Sequence, residues 1–282
     1  MVTLLQMTRM KVRILASLIG LPLLTIIILI GNPYFTIACI PIGILATYEA
    51  MNLTPFTDSK IPRKLIYIVT LLFIIYSFIA LSISIYLIGS LIIISVCFII
   101  SILWVITNND LEYKIQRIIY INCIPLYCGF LFSHILILYI DTSLPIGLGL
   151  SIIIFTMCVT FAGDTGAYFV GTYFGKIKIV PAISANKTLE GSIGGLCSSV
   201  IVSVIVSTVI DIQLNILPLL FIGVSLGVMG QLGDLFESKL KRIKQIKDSG
   251  TFLPGHGGLL DRIDSLIITI PTSYYLFYIF LV

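Results

Sequence analysis

The chain has 282 residues, 58% of them hydrophobic and 11% charged, with a mean hydropathy of +1.13. A water-soluble domain carries about a quarter of its residues as charged side chains, so this composition excludes one. The net charge of +4 comes without an aromatic-interleaved basic patch and gives no basis for nucleic-acid binding.

Apolar runs of about 18 residues or more recur from Met10 to the C-terminus, which predicts an all-α, polytopic transmembrane bundle. The segments are too long and too evenly apolar for barrel strands. Nine spans can be drawn: Val12–Ile30, Tyr34–Met51, Lys64–Leu81, Ser84–Ile106, Ile118–Ile140, Pro145–Ala162 with room to run on to Phe174, Gly191–Ile210, Ile216–Gly233 and Ser265–Leu281. The third and fourth together exceed any bilayer, so a turn is required near Leu81–Tyr86. The first run follows a short basic segment, but it lacks a small-residue cleavage site and reads as an uncleaved span.

All 17 Lys and Arg residues fall in five places: Arg9–Arg13, Lys60–Lys64, Lys114–Arg117, Lys176–Lys187 and Lys239–Arg262. With nine spans these are the N-terminus and every even-numbered loop, while the other side carries Asp141 and Asp211. The positive-inside rule then puts the N-terminus and the polar loops in the cytoplasm. The chain divides into N-terminal helices over residues 1–140 and a C-terminal catalytic region over 141–282, with cytoplasmic loops at 175–190 and 235–264. The six cysteines, Cys39, Cys97, Cys123, Cys128, Cys158 and Cys197, lie within predicted spans without metal-ligand spacing and read as small apolar fillers.

Up to Ile140 the chain is nearly pure hydrophobe. Glu49 closes the second span; it is either a functional carboxylate at membrane depth or a side chain reaching cytoplasmic water or a neighbouring base. His134 stands alone in an apolar helix and reads as a packing histidine. From Phe161 the character changes. In FAGDTGAYFVGTYFGK, Gly163, Gly166, Ala167, Gly171 and Gly175 recur at helical spacing and would let another helix approach closely. Asp164 in that seam cannot face lipid, where a central Asp costs roughly 2.5 to 3.5 kcal/mol. It lines a polar cavity, binds a cation or caps a broken helix.

In PAISANKTLEGSIGG, Ser184 or Asn186 could cap the seventh span, and Thr188, Glu190, Gly191 and Ser192 put hydroxyls and N–H groups at its start. A helix N-terminus preceded by Lys187 suits a phosphate. The stretch Gly230–Asp264 then holds five acids, six bases, one histidine and six glycines. Asp234 and Ser238 share a helix face at i, i+4; Asp261 and Asp264 share another at i, i+3. Between them lie Lys239, Lys241, Arg242, Lys244, Lys247, Asp248 and the turn Pro254-Gly255-His256-Gly257-Gly258. Hard oxygen donors suit Mg2+, held by one or two carboxylates together with phosphates and water. Bases and glycine amides suit a polyphosphate. Together they point to phosphoryl or nucleotidyl transfer at a membrane surface.

Ser238 to Asp264, SKLKRIKQIKDSGTFLPGHGGLLDRID, resembles the signature of the phosphatidate cytidylyltransferases, or CDP-diacylglycerol synthases, as do GDTGAYFVGTYFGK, ISANKTLEG and GQLGDLFES upstream. The resemblance is specific from about Phe161 to Asp264. Ala185-Asn186 departs from the Pro followed by Lys usual at that place. The resemblance implies the reaction CTP + phosphatidate → CDP-diacylglycerol + pyrophosphate in phospholipid biosynthesis, with Mg2+ required and room for a second cation. It implies Asp234 and Asp261 as metal ligands and Asp264 as an outer one. Lys187, Lys241, Arg242, Lys247 and His256 would contact phosphates of CTP or of the lipid. Ser184, Thr188, Ser238, Arg262 and Asp164 would complete the substrate site. It implies a homodimer as the assembly. The brevity of the chain and the lack of a transit-like leader favour a bacterial-type plasma (inner) membrane, with the site facing the cytoplasm.

Two other readings compete. Another CTP-dependent membrane lipid phosphotransferase would share the chemistry, whereas a phosphatidyl-alcohol transferase would show its own acid arrangement, which is absent. An ion-coupled transporter would use Asp164 and Glu49 at mid-membrane and requires broken helices in matched positions of two halves.

Overall fold

Lipid offers the backbone no hydrogen-bond partners, so each long apolar run must satisfy its N–H and C=O groups within itself, as a helix. A computed structural model describes residues 27, 30, 31, 33–55, 62–108, 111–145, 147–250, 252 and 257–281. The predicted span Val12–Ile30, apart from Ile27 and Ile30, and the predicted site residue His256 lie outside the described residues.

The described chain forms α1 (Tyr34–Asn52), α2 (Arg63–Ala80), α3 (Ile83–Thr107), α4 (Lys114–Pro125), a π-turn (Leu126–Leu131), α5 (His134–Ile140), α6 (Leu148–Phe174), α7 (Leu189–Val209), α8 (Ile216–Ile243) and α9 (Leu260–Leu281). α4, the π-turn and α5 make one span, Lys114–Ile140, so eight helices are long and apolar enough to cross a membrane. They match the last eight predicted spans in order. The protein is an all-helical, multi-pass membrane protein. The only strand-like pairing among the described residues is a single bridge between Lys178 and Thr188.

The turn required between the third and fourth predicted spans is made by Leu81, in the left-handed region at φ 55°, and by Ser82, extended at the start of α3. Two boundaries differ from expectation. α8 continues past Gly233 to Ile243, and α9 begins at Leu260 rather than Ser265. The expected loop 235–264 therefore shrinks to 244–259. Charge ends the apolar part of a span but not the helix. Glu237 and Lys241 pair at i, i+4 with 3.2 Å between Oε2 and Nζ, and Ser238 Oγ donates to Asp234 Oδ1 at 3.2 Å, so the polar turns hold themselves.

Apolar burial drives little association in lipid; close packing of small residues and interhelical hydrogen bonds do more. The buried face of α7 is a row at spacing four, Gly191, Gly195, Ser199, Ser203 and Ser207, and its other side shows Ile193, Ile201, Ile205 and Val209 outward. The row meets the small-residue seam of α6. A Cβ on Gly166 would collide with the Ser198 side chain and reach Gly194 O at 3.0 Å. Ser199 Oγ donates to Val159 O (3.3 Å) and Ser203 Oγ to Leu219 O of α8 (3.2 Å).

α9 runs through the middle of the bundle. Thr160 Oγ1 donates to Thr269 Oγ1 at 3.1 Å, and Tyr274 OH donates to the buried Asp141 carboxylate. His134 is fully buried: Nδ1 meets Phe130 O at 2.8 Å and Nε2 meets Tyr275 OH at 3.0 Å. It is a satisfied packing histidine. At one end of the bundle three connections are tied together. Lys244 Nζ donates to Thr54 O at 2.9 Å, and Arg242 Nε donates to Ile183 O at 2.9 Å.

Candidate active site

Close approach of α6 and α7 opens a cavity of about 520 Å3 at that same end, against α8. Asp164, Lys178, Ser184, Lys187, Thr188 and Asp234 are among its walls. α6 passes Asp164 without a break, so this carboxyl lines a cavity and does not cap a broken helix. The segment from Gly175 to Leu189 folds back on itself through Ile179 N to Lys187 O (3.2 Å) and Leu189 N to Ile177 O (2.8 Å). Glu190 accepts from Lys176 N at 3.0 Å, which closes the base of this small hairpin. Thr188, not Ser184 or Asn186, caps α7: its Oγ1 accepts from Gly191 N at 3.2 Å. The extended backbone an N-cap needs is set at Thr188 by its pairing with Lys178. Ser184 and Asn186, four and two residues before the N-cap position, face the cavity instead.

Lys187 Nζ stands 2.8 Å from Asp234 Oδ2. The contact is an ion pair without hydrogen-bond alignment, since the buried Nζ has no directed partner. Lys187 is also one of the walls of the cavity, so its charge faces whatever occupies it. Lys178, which the sequence did not single out, adds a second base to that wall.

Behind Asp234 lies a second layer on α8 and α9. Lys241, 9% exposed, bridges Glu237 Oε2 (3.2 Å) and Asp261 Oδ1 (2.7 Å). Asp261 also accepts from Ser249 N (3.0 Å) and Gly258 N (2.8 Å), so both its oxygens are engaged. Asp264, 8% exposed, accepts from Ser265 N at 2.7 Å, and its carboxyl is electrostatically coupled to that of Glu237 beside it. Glu237 is fully buried, and its Oε1 finds no donor. Two carboxyl groups in such contact need a proton or a cation between them.

The predicted residues thus divide. Asp164, Ser184, Lys187, Thr188 and Asp234 meet around the cavity, and Ser238 braces Asp234 from behind. Lys241, Asp261 and Asp264 meet in the buried layer, so Lys241 neutralises acids rather than lining the cavity. Arg242 is also not a wall of it: the guanidinium donates to Ile183 O and Ile246 O, fastening the hairpin to the end of α8. Lys247 and Arg262 are exposed beyond the cavity lining. Glu237 was visible only as a neighbour of Asp234, although its i, i+4 spacing to Lys241 was a usable signal.

Five carboxyls, Asp164, Asp234, Glu237, Asp261 and Asp264, interact through this region with two ammonium groups, Lys187 and Lys241. Among the described residues no three carboxylate, His or Cys side chains close on one point as a preformed metal cage. Mg2+ seldom uses such a cage; it takes one or two carboxylates and completes its shell with phosphates and water. The unpartnered Glu237 Oε1 and the carboxyl pair beside it are the kind of donors such an ion takes.

The sequence model of the cytidylyltransferase family matches residues 11–280. A phosphatidate cytidylyltransferase of Bacillus subtilis (strain 168) is 33% identical over 281 residues, 97% of this chain and 100% of that protein. One from Staphylococcus aureus (strain COL) is 32% identical over 262 residues, 93% of this chain and 96% of that one. One from Staphylococcus haemolyticus (strain JCSC1435) reaches 50% identity over 123 residues, 44% of this chain and 47% of that one. The likeness therefore extends through the N-terminal half, where single residues had shown only a run of spans. The chain belongs to the cytidylyltransferase family.

Proposed function

We propose that the chain is a phosphatidate cytidylyltransferase, converting CTP and phosphatidate into CDP-diacylglycerol and pyrophosphate. The observation that carries this reading is the Lys187–Asp234 cavity, set beside a buried layer of carboxyls with too few bases to balance it. A phosphate oxygen of phosphatidate is already anionic and needs no general base. It attacks the α-phosphorus of CTP in line; the new P–O bond forms as the bond to the β-phosphate oxygen breaks, and pyrophosphate leaves with that electron pair. Lys187 and Lys178 offset phosphate charge in the cavity, Ser184 and Thr188 orient the nucleotide's oxygens, and Asp234 holds Lys187 in place.

Mg2+ is the cofactor of this reading, with Asp234, Glu237 and Asp264 as the carboxyls that would hold it. When bound, it would offset charge on the phosphoryl group and on the departing pyrophosphate. Asp261 supports that set through Lys241. The site faces the cytoplasm of a plasma membrane, by the distribution of bases over alternate connections. A homodimer is the proposed assembly, which mass measurement in detergent checks. The unbroken α6 at Asp164 removes the main structural reason for the transporter reading.

The test uses purified protein in detergent with phosphatidate, labelled CTP and Mg2+. Pyrophosphate and a CMP-bearing lipid should appear together. Folded protein that forms neither with phosphatidates of several acyl compositions would refute the assignment.

A further inference from the structure

Glu49, in the last turn of α1, is not among the cavity walls, and it is 2% exposed. Its Oε1 accepts from Leu259 N at 3.0 Å, and its Oε2 from Leu260 N at 2.8 Å and Ser249 Oγ at 2.9 Å. None of these donors is a base, and among the described residues Glu49 makes no salt bridge. The carboxylate sits on the amide end of α9, where a helix favours negative charge. Two glycines make the approach possible: a Cβ on Gly250 or on Gly258 would collide with the carboxylate, and the one on Gly258 also with Ser249 Oγ.

The same short segment serves Asp261. The amides of 258, 259 and 260 are divided between the two acids, the first to Asp261 and the next two to Glu49. Ser249 gives its N–H to Asp261 and its O–H to Glu49. The connection from α8 to α9 is thus fastened where it leaves and where it returns, by one acid of α9 and one of α1.

We infer that Glu49 is a positioning residue for the reaction: it is the post on α1 against which Ser249 and residues 258–260 are set. Through Ser249 and Gly258 it fixes Asp261, and with it Lys241, beside the Glu237–Asp264 pair. It acts through these groups and touches none of the cavity walls. The inference rests on the cytidylyl-transfer reading for its kinetic part only.

The test compares the wild-type full chain with Glu49→Gln and Ser249→Ala in detergent, by steady-state kinetics and by amide hydrogen exchange. Glu49→Gln keeps the shape but turns an NH2 group toward donors. In the folded variant kcat should fall about 10- to 100-fold, the range for a residue that supports a site at one remove. The KM for CTP should stay within about threefold of wild type, because none of the described residues of 244–260 lines the cavity. Amides 258–260 should exchange faster while α6 and α7 keep their protection. Ser249→Ala removes one neutral donor and should lower kcat about three- to tenfold, with the same split. Values of kcat within about twofold of wild type in both variants would overturn the inference. So would kcat and KM shifting together with protection lost across the bundle, which is the mark of a merely structural role. If Glu49→Gln does not fold, Ser249→Ala decides by the same criteria. A wild type without cytidylyl transfer sinks the functional reading instead. The exchange arm then still decides, since unchanged protection at 258–260 in Glu49→Gln would overturn the post itself.

Discussion

Asp234 joins the cavity to the layer behind it, so Asp234→Asn separates catalysis from stability. The ion pair with Lys187 is 2.8 Å long, but the two side chains are 22% and 39% exposed. Lys187 Nζ is itself buried, but it stands at the wall of the cavity, where water can replace the lost partner, so the net cost to folding should be about 1 kcal/mol. Asn also keeps an oxygen for the Ser238 hydroxyl. At the reacting phosphates the same charge counts for far more, about 2.7–4 kcal/mol for a major electrostatic group, or roughly 100- to 1,000-fold in kcat. The assay is pyrophosphate release from labelled CTP and phosphatidate, run beside thermal unfolding of the same preparation. Asp211→Asn, in the exposed connection between α7 and α8, is the control and should behave as wild type. An Asp234→Asn protein of normal stability with activity within about tenfold of wild type would refute the placement of Asp234 at the chemistry.

Other outcomes follow from the same geometry. Asp261→Asn breaks a buried pair while Lys241 keeps Glu237; we expect about 3 kcal/mol lost from stability as well as turnover, read by unfolding and by assay. Gly166→Ala should destabilise by about 1–3 kcal/mol, because its Cβ strikes Ser198. Adding Ser198→Gly should restore most of that, measured as unfolding temperature in one detergent. Removing divalent cations with a chelator should abolish turnover, and Mg2+ should restore it. Activity that survives chelation would exclude the proposed role of Asp234, Glu237 and Asp264.

Hydropathy reads length and polarity along one chain, which is why the eight spans among the described residues were legible in number and order, most of their ends to within a few residues, including the turn at Leu81 that bilayer thickness demanded. It does not see that a helix can outlive its apolar part, so the ends at Gly233 and Ser265 were drawn short. The α6 seam was legible because small residues at helical spacing have one main use in lipid. Its partner, the Gly191–Ser207 row, was not distinguished from an ordinary span. The site was legible as a set of residue types and not as pairings. Whether a lysine meets phosphate or carboxylate depends on which helix end stands opposite, and Lys241 and Arg242 both turned out to serve the protein itself. Glu49 and Ser249 lie 200 residues apart, and no local pattern announces such a contact.

The length of α8 sets a depth. Its 28 residues span about 42 Å at 1.5 Å per residue, against a hydrocarbon slab of about 30 Å. Counted from Ile216, Asp234 lies about 27 Å along the axis and Lys241 about 37 Å. With Ile216 at one face of the slab, Asp234 would stand about 3 Å short of the other face and Lys241 about 7 Å beyond it, near the depth at which a phospholipid keeps its phosphate. A lipid reacting there leaves its acyl chains undisturbed and arrives by lateral diffusion, and the lipid product departs the same way. Only the nucleotide and the pyrophosphate need to cross between water and the site.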